Sequence, residues 1–264
     1  MTYTTVIALL TDFGLQDGYV GIIKGAIACI NPYLTVIDIA HEIPPQNIAA
    51  GRFCLMNAYS FLPNGTVYVA VIDPGVGSRR RGVAIQFSQG YLVGPDNGLF
   101  GGVLSLSEAI VAVELTNPNY WRIRHPSLTF HGRDIFAPVG AHLASGISLN
   151  VLGNSISPDS LIKLPLKEVI ITSKHVHGCI QYIDHFGNLI TNISGKLVRD
   201  HNWSVEIAKQ QIKTALTYSE VTREELVSFI GSHGWVEIAV NGGSAQQKLQ
   251  VNWGDHINIF LGEK

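Results

Sequence analysis

Short apolar runs alternate with amphipathic stretches as far as about residue 165. Val6–Leu10 is apolar and ends at Thr11-Asp12-Phe13-Gly14. Gly18–Ile30 reads as a helix, with Asp17 placed to cap it and Asn31-Pro32 to stop it. Thr35–Ala40 reads as a strand. Pro45–Phe61 reads as a helix with proline in its first turn and Pro63 beyond its end. Thr66–Ile72 is β-branched and apolar, which predicts a buried strand. Val83–Phe87 and Tyr91–Val93 read as two more, joined by a turn at Gln89-Gly90. Ala109–Leu115 reads as a strand and Ile135–Leu143 as a helix. Apolar strands alternating with helices predict a mostly parallel sheet covered on both faces.

The pattern then changes. Val169 to Ile193 reads as short strands with turns at Gly178 and at Phe186-Gly187-Asn188. Trp235–Val240, Lys248–Trp253 and Ile257–Leu261 read as further strands between Asn/Gly breaks. Ser155–Lys167 carries two prolines and several serines and reads as a linker. The expected organisation is an N-terminal Rossmann-like α/β/α sandwich over residues 1–160. A smaller C-terminal all-β, barrel-like domain follows over 168–264.

Composition narrows the class. Charged residues make up 14% of the 264, against roughly 25% in soluble domains generally. With 46% hydrophobic residues and a mean hydropathy of +0.22, the chain is not of the disordered type. So low a charge content hints at surface hidden in an oligomer. The net charge of −2 and the lack of a Lys/Arg run exclude a nucleic-acid footprint. The longest charge-free stretch, Ile135 to Pro158, is interrupted by Gly, Pro, Ser and Asn, so no membrane span is expected. The first residues have no basic run before their apolar stretch, which points to the cytoplasm. Cys29, Cys54 and Cys179 are odd in number and form no C-x-x-C pair, as packed free thiols would be.

In open α/β sheets, ligands bind beyond the carboxyl ends of the strands. Four segments qualify: Thr11-Asp12, Asp73-Pro74-Gly75-Val76-Gly77, Gly94-Pro95-Asp96-Asn97, and Phe130-His131-Gly132-Arg133-Asp134. Each has a plainer reading. Asp12 and Asp73 suit turns as well as ligands, and His131 alone is an ordinary histidine. Asp12-Phe13-Gly14 matches the kinase magnesium triplet by accident, since no Gly-rich loop precedes it and no H-R-D is present. No dinucleotide fingerprint or P-loop is present. His175-x-His177 has no third ligand at zinc spacing.

Taken in order, the segments are more specific. TDFG and GYVGxxKG near the start are followed by HEIPPQNIxxG, VIDPGVGSxRR, GPDNGLF, TFHGRDIFAPVGAHL and IDHFGNLITNI. Together they resemble the S-adenosyl-L-methionine (SAM) hydroxide adenosyltransferase family, relatives of the fluorinase and chlorinase, over nearly the whole chain. The resemblance implies an α/β domain, a barrel-like domain and a homotrimer. The active site would lie between the first domain of one subunit and the second domain of the next. The implied reaction is hydrolysis of SAM to adenosine and L-methionine without a metal or cofactor. The implied catalytic set is Asp73, Arg80 (seven residues on, flanked by Arg79 and Arg81) and His131. Asp12 matches the residue that holds the ribose hydroxyls. Asp184, Phe186 and Asn188 match the motif that grips adenine and the methionine part, and Ser244 matches the serine at the methionine end. Halogenating relatives follow that serine with Arg, where this chain has Ala245.

These residue types suit the chemistry. A sulfonium leaves without protonation, so the difficulty is the nucleophile: water, with a pKa of about 15.7. His131 can accept a proton near neutral pH. Asp73 can orient it and stabilise the imidazolium. Arg80 is permanently charged and suited to stabilise charge on oxygen. Either Asp73 or His131 takes the proton. Asp12 can accept from two vicinal hydroxyls, Phe186 can stack on adenine, and Asn188 can reach the methionine amino end or the ribose. Three other readings stay open. One is a halide-dependent enzyme on the same scaffold. The second is a metal-dependent phosphoesterase with Asp12, Asp73, Asp96 and His131 as ligands. The third is a non-catalytic adenosine-binding module.

Overall fold

The computed structural model describes residues 6–262. The ends of the expected domains, 1–5 and 263–264, lie outside the described residues. The chain divides into two compact units, with the break between Leu164 and Pro165.

The first unit holds β1 (Val6–Thr11), α1 (Tyr19–Ile30), β2 (Thr35–Ala40), α2 (Ile48–Ala58), β3 (Thr66–Val71), β4 (Gly82–Phe87), β5 (Gly90–Pro95), α3 (Gly101–Leu104), β6 (Ala109–Glu114), α4 (Ala137–Ala144) and β7 (Asn154–Ile156). They build one sheet in the order β2-β1-β3-β5-β4-β6-β7. β1, β2, β3, β5 and β6 run one way and β4 and β7 the other, so the sheet is mixed but mostly parallel. Ile7 and Leu9 of β1 and Val67, Val69 and Val71 of β3 form a core with Ile23 and Ile27 of α1 and Val139 of α4. β3 is buried at every position, as its unbroken apolar sequence requires. The carboxyl ends of β1 and β3 lead directly into Asp12 and the Asp73 turn.

Several boundaries differ from expectation, each for a local reason. Gly18, not Asp17, stands at the cap of α1, and no side chain bonds the first turn. α2 starts at Ile48, because the Asn47 side chain accepts from the Ala50 N–H at 3.0 Å while Gln46 takes a left-handed φ of 64°. Pro45 is therefore outside the helix. The β4–β5 turn is Ser88-Gln89, and Gly90 opens β5, where a Cβ would stand 2.2 Å from the Thr66 carbonyl oxygen. The Ile135 helix begins only at Ala137, after a wide π turn over Gly132–Phe136. Ser155 pairs with Val113 in the sheet, and Ser160 receives bonds from Arg81. The stretch up to Leu164 thus belongs to the first unit rather than to a linker.

The second unit holds β8 (Ile170–Ile171), β9 (His175–Ile183), β10 (Leu189–Ser194), β11 (Asn202–Ile207), β12 (Gln210–Ile212), β13 (Leu226–Ile230), β14 (Trp235–Val240), α5 (Ala245–Leu249) and β15 (His256–Gly262). The order is β12-β11-β15-β9-β10-β14-β13, antiparallel throughout, with β8 on β9. A bridge from Thr214 to Ser228, flanked by bonds on both sides of Ser228, nearly closes the barrel. β9 runs straight through Gly178, where no turn forms. Glycine is needed there because a Cβ would lie 2.4 Å from Asn192 Oδ1. Lys248–Trp253 is not a strand. Ser244 caps α5, and buried Ala245 and Leu249 follow the helical i, i+4 spacing. No helix among the described residues is long and apolar enough to cross a membrane.

Candidate active site

The turn after β3 folds tightly back on itself. The Val76 N–H reaches the Asp73 carbonyl and the Ser78 N–H the Gly75 carbonyl, and the Arg80 N–H donates to Ser78 Oγ. Gly77 has φ +76°, and a Cβ there would meet the Leu128 carbonyl at 2.4 Å. This turn returns Arg80 to Asp73. Arg80 Nε donates to Asp73 Oδ1 at 2.9 Å, and Nη2 donates to Asp73 Oδ2. The same Nη2 lies 2.7 Å from His131 Nδ1. Asp73 and Arg80 are nearly sealed from solvent, their side chains 6% and 11% exposed.

That contact fixes a tautomer. A guanidinium only donates, so His131 Nδ1 accepts, and the ring is neutral with its proton on Nε2. Burial, then the Arg80 charge, push the His131 pKa below its ordinary value, against a weaker opposing pull from Asp73 and Asp134. Arg80 therefore stands between Asp73 and His131. The expected direct orientation of His131 by Asp73 is not the arrangement found, because the guanidinium takes both partners.

A cavity of about 210 Å³ opens beside them. Asp12, Gln46, Asp73, Thr129 and His131 are on its wall, and Arg80 is behind it. Asp12 Oδ2 accepts from the Gln46 N–H at 2.7 Å. Thr11 Oγ1 meets buried His41 Nδ1 at 2.9 Å, and the Gly14 N–H donates to the His41 carbonyl, which fixes the loop carrying Asp12. Phe13, Tyr19 and Phe130 pack edge to face, with centroids 5.4–6.1 Å apart.

Asp96 is elsewhere. Its carboxylate is taken by Arg81 Nε and Nη2 and by the Ile162 N–H. Arg79 is exposed, so Arg80 alone of the three arginines reaches Asp73. The four ligands of the metal reading are therefore not assembled. Among the described residues, no group of three or more His, Cys, Asp or Glu could hold a metal ion.

The second unit gathers the other set. Asp184 Oδ1 accepts from the Phe186 and Asn188 N–H groups, and Oδ2 from Asn188 Nδ2 at 2.9 Å. Its carboxylate shapes the turn. Phe186 is left 73% exposed. Gly187 packs so closely on Ser244 that a Cβ would stand 2.0 Å from Ser244 Oγ, and Ser244 Oγ accepts from the Gln247 N–H. A cavity of about 520 Å³ is lined by Phe186, Asn188, Tyr218 and the Asn241-Gly242-Gly243 loop.

Residues 7–153 match the SAM hydroxide adenosyltransferase N-terminal domain, and residues 178–258 match the C-terminal domain of the same family. The chain belongs to the SAM hydroxide adenosyltransferase family. Within it, the (R)-S-adenosyl-L-methionine hydrolase of Salinispora tropica is 39% identical over 99% of this chain and all of that protein. The protein of the same name from Thermus thermophilus is 37% identical over 95% of this chain and 98% of its own. Fluorinases are more distant, at 24–30% identity. A crystal structure of a conserved protein from Thermotoga maritima superposes with a TM-score of 0.89 at 36% identity, covering 96% of this chain and 99% of that one.

Two residue roles in this family member escaped the sequence reading. Asp134 is fully buried and accepts from Arg122 Nε, from Arg133 Nε and Nη2, and from the Ser127 N–H. Burial works to raise its pKa, but the bonds from Arg133, Ser127 and Arg122 outweigh it and hold the carboxyl far below the usual range. It anchors the π turn that presents His131. The second is Tyr218, which bonds Asn188 Nδ2 and donates to Glu237 Oε1 at 3.0 Å. An Arg-Asp pair at the π turn was a readable signal for the first; nothing local marks the second.

Proposed function

We propose that this chain hydrolyses SAM to adenosine and L-methionine. The observation that carries the reading is Arg80 clamped between Asp73 and His131 beside a cavity with Asp12 on its wall. Water oxygen attacks C5′ opposite the sulfur, and the C5′–S bond breaks with both electrons passing to sulfur. The water must give up a proton. Neutral His131 has no free lone pair while Arg80 holds Nδ1, so Asp73 takes the proton and the His131 Nε2–H holds the water oxygen. Arg80 acts as a positioning residue, with its fixed charge set behind both.

Asp12 accepts the ribose hydroxyls, leaving a deoxy analogue with an unpaired acceptor. Phe186 stacks on adenine, Asn188 meets the amino end or the ribose, and Ser244 meets the methionine end. Asp184 works through the turn it holds. The reading takes no cofactor and no metal, and it places the enzyme in the cytoplasm. It also takes a homotrimer, each site completed by the first unit of one copy and the second unit of the next. In support, the two residue sets gather in separate units, and the stacking Phe186 is exposed.

The test is direct. Purified protein is incubated with SAM in halide-free buffer containing EDTA, and the products are separated by chromatography. Adenosine and methionine in equal amounts are expected. Untouched SAM, a need for chloride with a halogenated product, or silence in EDTA would each overturn the reading.

A further inference from the structure

Four arginines of the first unit have a carboxylate partner: Arg80 pairs with Asp73, Arg81 with Asp96, and Arg122 and Arg133 with Asp134. Arg52 of α2 does not. It is 8% exposed and makes no side-chain hydrogen bond or ion pair with any described residue. It stands on the wall of a cavity of about 490 Å³ that shares no residue with the one beside Asp73. Burial lowers the Arg52 pKa, and no neighbouring group opposes the shift. None of its nitrogens is sealed from solvent, so this cation, with no carboxylate on it, stays open to an anion entering from the cavity.

The rest of the wall says what fits. Lys163 adds one positive charge, and Glu108 and Asp159 add two negative ones. These three are exposed, whereas Arg52 is largely buried. The four charges sum to zero, so only the local guanidinium attracts an anion, and the acids repel a doubly charged one more strongly than a singly charged one. Leu104, Leu161 and Leu164 offer apolar wall. We infer that this cavity binds a small carboxylate with an apolar body, its two oxygens seated on the Arg52 guanidinium. A guanidinium fork matches carboxylate geometry.

The experiment uses the full-length protein, with 4-methylpentanoate and inorganic phosphate as probes at constant ionic strength and thermal melting as the readout. The carboxylate should raise the wild-type Tm by about 2–4 °C, with phosphate giving less. Arg52→Met should weaken the response by about tenfold or more. Asp73→Asn should keep it, which separates this cavity from the one beside His131. A second pair of variants guards against a folding defect in Arg52→Met. A Cβ at Gly101 would stand 3.9 Å from Arg52 Nε, so Gly101→Asp supplies the missing counter-charge from within. It should melt above Gly101→Asn and respond less to the carboxylate. That advantage should vanish in an Arg52→Met background. A silent wild type, an equal response in Arg52→Met, a larger response to phosphate, or a Gly101→Asp protein no more stable than Gly101→Asn would overturn the inference.

Discussion

His131 faces a guanidinium nitrogen at 2.7 Å, a contact in which only one partner can donate. A second proton on the ring would turn it into donor against donor. With the His131 pKa held below 6.5, the native state releases this proton more readily than the unfolded chain. Its contribution to stability is therefore full above about pH 6.5 and is lost as pH falls through the lowered value. Activity should show an acid limb at that same lowered pKa. NMR titration of the His131 ring should give a midpoint below 6.5, coinciding with the limb of kcat against pH. In His131→Gln the limb should vanish and kcat should fall by about 10²–10³-fold, as for loss of one positioned donor. A midpoint at or above 6.5 would remove the argument. Asp73, Arg80 and His131 were all legible as motif residues. Their order in space was not, because it depends on how the Gly75–Gly77 turn returns Arg80 between the other two.

At the scale of elements, buried strands were the most legible, since β1 and β3 are continuous apolar or β-branched runs. α5 was missed although its Ser244 cap and its i, i+4 spacing are local, whereas the strand through Gly178 was misread because its deciding contact, with Asn192, is distant in sequence. Gly187 shows such a contact bearing on the site. It has φ +81°, and a Cβ would strike Ser244 Oγ at 2.0 Å; Gly234 has φ +83° and nothing within 4 Å. Alanine at either position should cost about 1–3 kcal/mol of backbone strain. Only Gly187→Ala should also push Ser244 and the Phe186 turn apart. We expect both variants to melt lower, with the KM for SAM raised in Gly187→Ala and unchanged in Gly234→Ala. Steady-state kinetics and thermal melts on the pair would check this, and an equal KM effect would deny the contact a role in substrate binding.

At the scale of the whole molecule, the proposed trimer makes a quantitative demand. Asp73→Asn damages the set in the first unit, and Asn188→Ala damages the set in the second. If each site joins the first unit of one copy to the second unit of another, a mixed trimer can rebuild an intact site from one partner of each kind. With random equal mixing, the first unit is intact in half the copies and the second in the other half. About a quarter of all sites should then be whole, which is one site in three within every mixed trimer. Co-expression with two different tags, followed by tandem purification, isolates the mixed assemblies. Their specific activity should rise well above that of either parent variant. If every site were built within one copy, no mixture could contain an intact one, and the activity would stay at the parental level however the chains were combined.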